Sequence, residues 1–162
     1  MSRVDTKPQD LLSWILGLLR NGLGLGPEAC FLASDDLAPA RIPPHPTFCV
    51  VSPLGSQFIV EEQTPGNVCE RWGFRVRLFL RISRDRPGQD EVRLLDADDG
   101  MFAWKRKLLR ALVGKDNQDW NLRGTLAATA ATPLVWLRGN RGEIEYASFA
   151  VDFLLEFDWS LE

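Results

Sequence analysis

The last fifteen residues alternate between apolar and polar side chains over a length that few β-strands reach. Apolar residues occupy every odd position from Phe149 to Leu161, and the even positions are mostly polar or acidic. Because successive side chains of a strand point to opposite faces, residues 148–162 are predicted to form one strand with an apolar and an acidic face. At ~3.3 Å per residue such a strand is roughly 45 Å long, so we expect it to be central, bent or shared with a neighbour.

A second alternating segment, residues 74–83, is the positively charged counterpart of the terminal strand. Its even positions are apolar, and three of its odd positions are arginines. If the two strands were antiparallel neighbours, the arginines would oppose three carboxylates and stabilise the sheet by up to ~1 kcal/mol per pair. The same side chains could instead make contacts between subunits, and both alternatives stay open at this point. The charged residues are Arg75, Arg77, Arg81, Asp152, Glu156 and Asp158.

Residues 6–21 have the three- and four-residue apolar spacing of an amphipathic helix. Pro8 is acceptable in the first turn, and Gly22 marks the expected end. The predicted core-facing residues are Leu11, Leu12, Trp14, Ile15, Leu18 and Leu19.

A second helix is predicted from Asp98 to about Gly114, with Asp98 or Asp99 as its N-cap. The residues expected to face the core are Met101, Trp104, Leu108, Leu109, Leu112 and Val113. The outer face carries Lys105, Arg106, Lys107 and Arg110. Such a basic row is more often a solvated helix face than a binding site.

Two hairpins are predicted. Residues 47–62 contain two β-branched runs around a turn at 53–56, and residues 134–137 lead through a turn at 138–142 into the terminal strand. Residues 115–132 match no pattern.

The terminal strand changes its apolar parity near its start. Ile144 and Tyr146 are even-numbered, whereas the later apolar residues are odd-numbered. We therefore expect a one-residue bulge near Ala147, which would also bend the strand.

Charge is distributed unevenly along the chain. Residues 1–70 hold 4 basic and 8 acidic side chains, residues 71–115 hold 12 and 6, and residues 116–162 hold 3 and 8. A basic middle between acidic ends suits either a nucleic-acid patch or copies that attract one another head to tail.

Catalytic, cofactor-binding and metal-binding residues are not assigned, and we expect a protein that is not an enzyme. Cys30, Cys49 and Cys69 form no C-x-x-C pair and are expected to be buried thiols. The lone His45 lies in a stiff proline-rich segment, and no G-x-S-x-G motif is present. The longest apolar stretch, residues 11–19, is too short to span a bilayer, so no membrane association is expected.

The order of helix, proline-rich segment, hairpin, basic strand, helix and terminal hairpin resembles the tail terminator, or tail-completion, proteins of long-tailed bacteriophages and related neck proteins. The segments that carry this resemblance are residues 9–20, 41–46, 74–84, 90–114 and 143–159.

The resemblance implies an α+β fold, with a mainly antiparallel sheet flanked by an N-terminal and a middle helix and ended by a long C-terminal strand. It treats residues 1–162 as one tail-terminator-like domain. It further implies a hexameric ring that caps the tail tube, joins it to the head-completion or connector protein, and lets DNA pass without sequence-specific recognition. No cofactor is implied. Such a protein is found in the virion tail or neck, and in the host cytoplasm during assembly.

The interface residues that we assign under this hypothesis lie on the two charged strands and on the basic helix. They are Arg75, Arg77, Arg81, Lys105, Arg106, Arg110, Asp152, Glu156 and Asp158. A head-completion or other neck-layer protein is the nearest alternative. A small ligand-binding module that uses the six tryptophans as a pocket, or a nucleic-acid-binding module, is the alternative from another class.

Overall fold

The computed structural model describes residues 8–33, 46–82, 94–116, 122, 124–132, 135–138 and 145–161. Within these residues two helices accompany one six-stranded sheet, so the predicted α+β class is confirmed. The helices are α1 (Pro8–Leu23) and α2 (Met101–Leu112). The strands are β1 (Cys30–Leu32), β2 (Thr47–Phe58), β3 (Asn67–Ile82), β4 (Ala127–Ala131), β5 (Val135–Arg138) and β6 (Glu145–Ser160), and a 3-10 helix (Val60–Glu62) lies between β2 and β3.

The sheet has the order β1, β2, β3, β6, β4, and β5 also pairs with β6. Strand β1 runs parallel to β2, whereas the other pairs are antiparallel. The basic strand and the terminal strand are therefore antiparallel neighbours, which is one of the two alternatives that the sequence left open. They pair along their full length, from Asn67 opposite Ser160 to Ile82 opposite Glu145, in one unbroken register.

One face of the sheet, which we call the inner face, is covered by α1 and α2. Residues directly opposite each other in antiparallel strands share a face, so the even positions of β3 join the odd positions of β6. Burying these side chains with the apolar stripes of both helices removes a large apolar area from water, which is the main favourable term in folding. The buried strand residues include Phe74, Val76, Leu78, Leu80, Phe149, Val151, Phe153, Leu155 and Phe157.

Helix α1 ends one residue later than Gly22, because the left-handed turn falls at Gly24. This glycine has a φ of 67°, which side chains with a Cβ rarely adopt. The amide of Leu25 then donates to the carbonyl of Arg20 at 3.1 Å, which satisfies one of the last helical carbonyls.

The opposite, outer face of the sheet is also buried at one end. Phe48, Phe79 and Tyr146 pack together there, and each is at most 2% exposed. The predicted bulge near Ala147 is therefore wrong. The side chain of Tyr146 lies on the outer face with this second cluster, so its even position requires no bulge. The β3–β6 and β5–β6 registers pass Ala147 without a shift.

The predicted hairpin within residues 47–62 is also wrong. Strand β2 continues through residues 53–56, where its pairing with β3 shifts at a bulge between Pro53 and Ser56. The reversal comes later, through the 3-10 helix and a bridge between Thr64 and Asn67. A proline and a glycine in an exposed strand here mark a bulge instead of a turn.

Neither Asp98 nor Asp99 caps α2, whose N-cap is Gly100 without a side-chain hydrogen bond. The carboxylate of Asp96 accepts the amide hydrogens of Asp98 and Asp99 at 2.9 and 2.7 Å and so closes the preceding turn. Of the predicted core residues of α2, Val113 is 47% exposed because it follows the last turn of the helix.

Strands β1 and β4 were not predicted. Each is five residues or shorter, and β4 is an exposed edge strand of small side chains, so neither has a clear alternation. Strand β5 confirms the predicted terminal hairpin, but Leu161 is 59% exposed and lies beyond the last strand residue. The predictions for His45, for the turn at 139–142, for Ile144 and for the Trp159 side chain lie outside the described residues.

Candidate interaction surfaces

The outer face of β3 and β6 carries the charges that the sequence analysis singled out. Arginines follow the odd positions of β3, and carboxylates follow the even positions of β6 on the same face. The residues on this charged face are Arg71, Arg75, Arg77, Arg81, Asp152, Glu156 and Asp158. The six strand residues that the sequence analysis singled out therefore share one face, to which the structure adds Arg71.

Arg75 and Asp152 are direct neighbours across the two strands. The Nε and Nη2 atoms of the guanidinium donate to Oδ1 and Oδ2 of the carboxylate at 2.8 and 3.2 Å. Two parallel hydrogen bonds to one carboxylate make a charge-assisted pair of the stronger kind. Its side chains are only 25% and 21% exposed, so water screens the pair incompletely. For these two residues the intrachain alternative is what the structure shows.

A second ion pair joins Arg71 to Glu156, with Nη2 to Oε1 at 2.6 Å. Sequence reasoning missed Arg71 because β3 was predicted to start at Phe74, seven residues later than its observed start at Asn67. The alternation does continue upstream through Val68 and Trp72, but Glu70 interrupts the apolar positions. That interruption concealed the first seven of the sixteen residues of the strand.

The predicted opposition of three arginines to three carboxylates is only partly correct. Arg77 lies opposite Ala150, and Arg81 lies opposite Tyr146, while Asp158 lies opposite Cys69. Period-two alternation assigns a face to each residue but does not determine the register. Only the hydrogen-bonded ladder of the folded sheet determines which residues are partners.

The basic row on α2 is partly occupied by contacts within the chain. The Nζ atom of Lys107 lies 4.4 Å from the centre of the Trp104 ring and donates to the carbonyl of Asp98 at 2.9 Å. Arg106 and Arg110 are exposed, and Lys105 is half-buried. The structure therefore does not bring this row into contact with the charged face of the sheet.

A cleft of about 390 Å³ lies between the C-terminal ends of α1 and α2, and we call it the helix cleft. A Cβ on Gly22 would lie 2.5 Å from the Cβ of Ala111, so only glycine allows the two helices to approach this closely. Apolar atoms and cationic side chains both contribute to the walls. The lining residues are Leu18, Asn21, Gly22, Lys107, Arg110, Ala111 and Lys115.

The connection between β2 and β3 exposes large apolar side chains beside a carboxylate. Phe58 is 52% exposed, Val60 is 71% exposed, and Glu61 is exposed next to them. We call residues 58–61 the hairpin tip. The 3-10 helix, which begins in the tip at Val60, contacts β3.

Within the described residues, no group of three or more His, Cys, Asp or Glu side chains is arranged to hold a metal ion. None of the three cysteines is part of a disulfide, and all three are fully buried, which confirms the buried-thiol prediction. Cys30 and Cys49 are partners in the β1–β2 register, and the hydrogen bond with Cys30, together with burial, raises the pKa of the Cys49 thiol. A thiol in this state is protonated and is a poor nucleophile.

None of the helices in the described part of the chain combines the length and the apolar character that a membrane crossing requires.

Comparison with known proteins finds matches among solved structures alone. No family model and no curated protein matches the chain. Among solved structures, a chain of the "Virion of native gene transfer agent (GTA) particle" is 17% identical with a TM-score of 0.39, and the match covers 85% of this chain and 84% of that chain. At this identity and TM-score the similarity carries no argument about fold or function.

Proposed function

We propose that this chain is a structural virion protein that acts as a tail terminator or neck component. In this role it forms a ring that caps the tail tube and joins it to the head connector. The observation that carries the proposal is the order of elements that underlies the family resemblance. Helix α1, the long β3 strand, α2 and the β5–β6 hairpin follow one another along the chain in the order of that pattern.

The surface of the described residues supports assembly as the purpose of the fold. The charged face of the sheet, the helix cleft and the hairpin tip are three chemically distinct patches. A ring that closes repeats one contact between two different patches of the same protein, so distinct and complementary surfaces are what such a ring needs. The role is structural, with no catalytic step and no cofactor.

The small-ligand alternative gains no support from the helix cleft. Its walls include three cationic side chains and none of the six tryptophans. A lipid-like ligand would favour an apolar and aromatic lining.

The mass of the assembled protein tests the proposal. We expect native mass spectrometry to show a six-fold species, either for the chain alone or after addition of the tail tube protein from the same particle. A persistent monomer under both conditions would contradict it. Binding to purified tube, compared with binding to purified connector, then separates the tail terminator role from a layer nearer the head.

Nucleic-acid binding as the main activity predicts a different result. The affinity for duplex DNA would then fall steeply as the salt concentration rises, because phosphate contacts release bound counterions. A ring whose channel only lets DNA pass should show little affinity for short DNA at 150 mM salt.

A further inference from the structure

The helix cleft has an apolar floor and an unengaged cationic rim. Of the lining residues, Leu18 is half-buried and Ala111 is buried, and we call these two the floor. Arg110 and Lys115 are exposed, and we call them the rim. Within the described residues, no side-chain hydrogen bond or ion pair engages either rim cation. A surface of this composition suits a segment that offers one apolar side chain with a carboxylate next to it.

The hairpin tip of the same protein offers that combination. Val60 is the most exposed of the large apolar residues in the described part of the chain, and the adjacent Glu61 carries the carboxylate. No side-chain partner within the described residues engages Glu61. In the single chain the exposed parts of Val60 and Phe58 add no buried apolar area and so do not stabilise the fold. Burying them against a partner would remove this apolar area from water.

We propose that the hairpin tip of one copy docks in the helix cleft of the next copy. Val60 would contact the apolar floor, and Glu61 would pair with Arg110 and Lys115 at the rim. The contact joins two different patches, so it is heterologous and repeats from copy to copy until a ring closes. This inference rests on the proposed ring and names the surfaces that hold it together.

Two variants block the two sides of the contact separately. Val60→Asn with Glu61→Gln removes the apolar side chain and the charge from the tip and leaves the cleft intact. Arg110→Glu with Lys115→Glu makes the cleft repel Glu61 and leaves the tip intact. Each variant alone is expected to lose the six-fold species and to remain a monomer in native mass spectrometry, under the condition in which the wild-type protein forms its ring.

Mixing the two variants gives the sharper result. The tip variant still has a working cleft and the cleft variant still has a working tip, so one contact forms and neither product can extend further. We expect a one-to-one heterodimer and no larger species. Adding Glu61→Lys to the cleft variant should restore the ring, because the reversed charges attract again.

Matched controls separate this contact from general surface and folding effects. Leu95→Asn removes another strongly exposed apolar side chain, and Asp10→Lys reverses an exposed charge on α1 outside the cleft. Both should leave the ring unchanged, and circular dichroism should show native folding for every variant.

Three outcomes would overturn the inference. Rings that persist in both blocking variants, or a mixture that forms no heterodimer, would remove the tip and cleft as the contact while leaving the proposed function in place. A wild-type protein that stays monomeric alone and with the tube protein would overturn the proposed function and this contact together.

Discussion

The two ends of the outer sheet face differ although they are built on the same strands. At one end Phe48 stacks on Phe79 with ring centres 4.4 Å apart, and Tyr146 meets Phe48 edge to face. At the other end Arg75 binds Asp152 through two hydrogen bonds. The first end is as buried as the inner core, whereas the second stays partly exposed.

The difference shows that one face of a strand can be buried at one end and exposed to solvent further along. Strand β3 places Phe79 and Arg75 on the same face, only four residues apart. The face is buried at Phe79 and partly exposed at Arg75, and the side chains change from aromatic to charged over the same distance. The aromatic end should therefore contribute to stability mainly by burial, and the ionic end mainly by specific pairing.

The largest expected effect follows from emptying the aromatic end. Phe79→Ala should lower the free energy of unfolding by about 3–5 kcal/mol, because it removes a buried ring and leaves a cavity between Phe48 and Tyr146. Urea unfolding followed by circular dichroism measures the change. The control Phe102→Ala, at a side chain that is 62% exposed, should stay within about 0.5 kcal/mol of wild type. Equal losses in the two variants would contradict the proposed burial.

The aromatic end should also be sensitive to alkali. Burial raises the pKa of Tyr146 above its usual 10.0, and the nearby positive charge of Arg81 opposes this only in part. The unfolded chain therefore loses this proton at a lower pH than the native protein. Stability from this group is complete below about pH 10 and declines as the pH rises through the folded pKa.

Absorbance at 295 nm follows this titration directly, because the sequence has one tyrosine. Tyr146→Phe should remove the absorbance change and flatten the alkaline loss of stability. If the native protein titrates at the same pH as the urea-unfolded chain, the phenol is not buried as described.

At the ionic end, double-mutant cycles should rank the two ion pairs. We expect a coupling energy of about 1 kcal/mol for Arg75 and Asp152, and about 0.2–0.5 kcal/mol for Arg71 and Glu156. The reason is exposure, since the side chains of the first pair are 25% and 21% exposed and those of the second are 43% and 26% exposed. Raising the salt concentration should weaken the second pair more. A reversed order would show that screening does not control these energies.

The smallest effect is expected beyond the end of β6. Leu161→Ser should change the free energy of unfolding by less than about 0.5 kcal/mol, because this side chain is already 59% exposed. Leu155→Ala, on the same strand but 1% exposed, should cost about 2–5 kcal/mol. Comparable losses at the two positions would mean that Leu161 is covered in solution, for example by another copy.

Much of the fold could be predicted because alternation and helical spacing are local patterns with a direct geometric meaning. Phe149, Val151 and Phe153 had to share a face once the segment was a strand, and Leu11, Ile15 and Leu19 had to share a face once theirs was a helix. These assignments need no knowledge of the remainder of the chain. The two long strands and the two helices followed from them, whereas the pairing of β3 with β6 was one of two alternatives that the sequence left open.

The surfaces were less predictable, because each depends on segments that meet only in the folded chain. The helix cleft exists because Gly22 of α1 lets Ala111 of α2 approach, and these residues are far apart in sequence. The hairpin tip lies at residues 58–61 because β2 passes through its bulge at Pro53 without turning. Neither the close helix approach nor the bulge produces a periodic pattern in the sequence.

The sequence by itself determined which side chains of each strand lie together, since that is decided by the two-residue repeat of an extended backbone. The tertiary structure alone decided the register, which pairs Arg71 with Glu156. It also decided that the outer face is buried at Tyr146, where aromatic side chains pack together. The physical reason is that register and burial are properties of contacts between distant segments. A strand carries its own alternation, but its neighbours determine what each face meets.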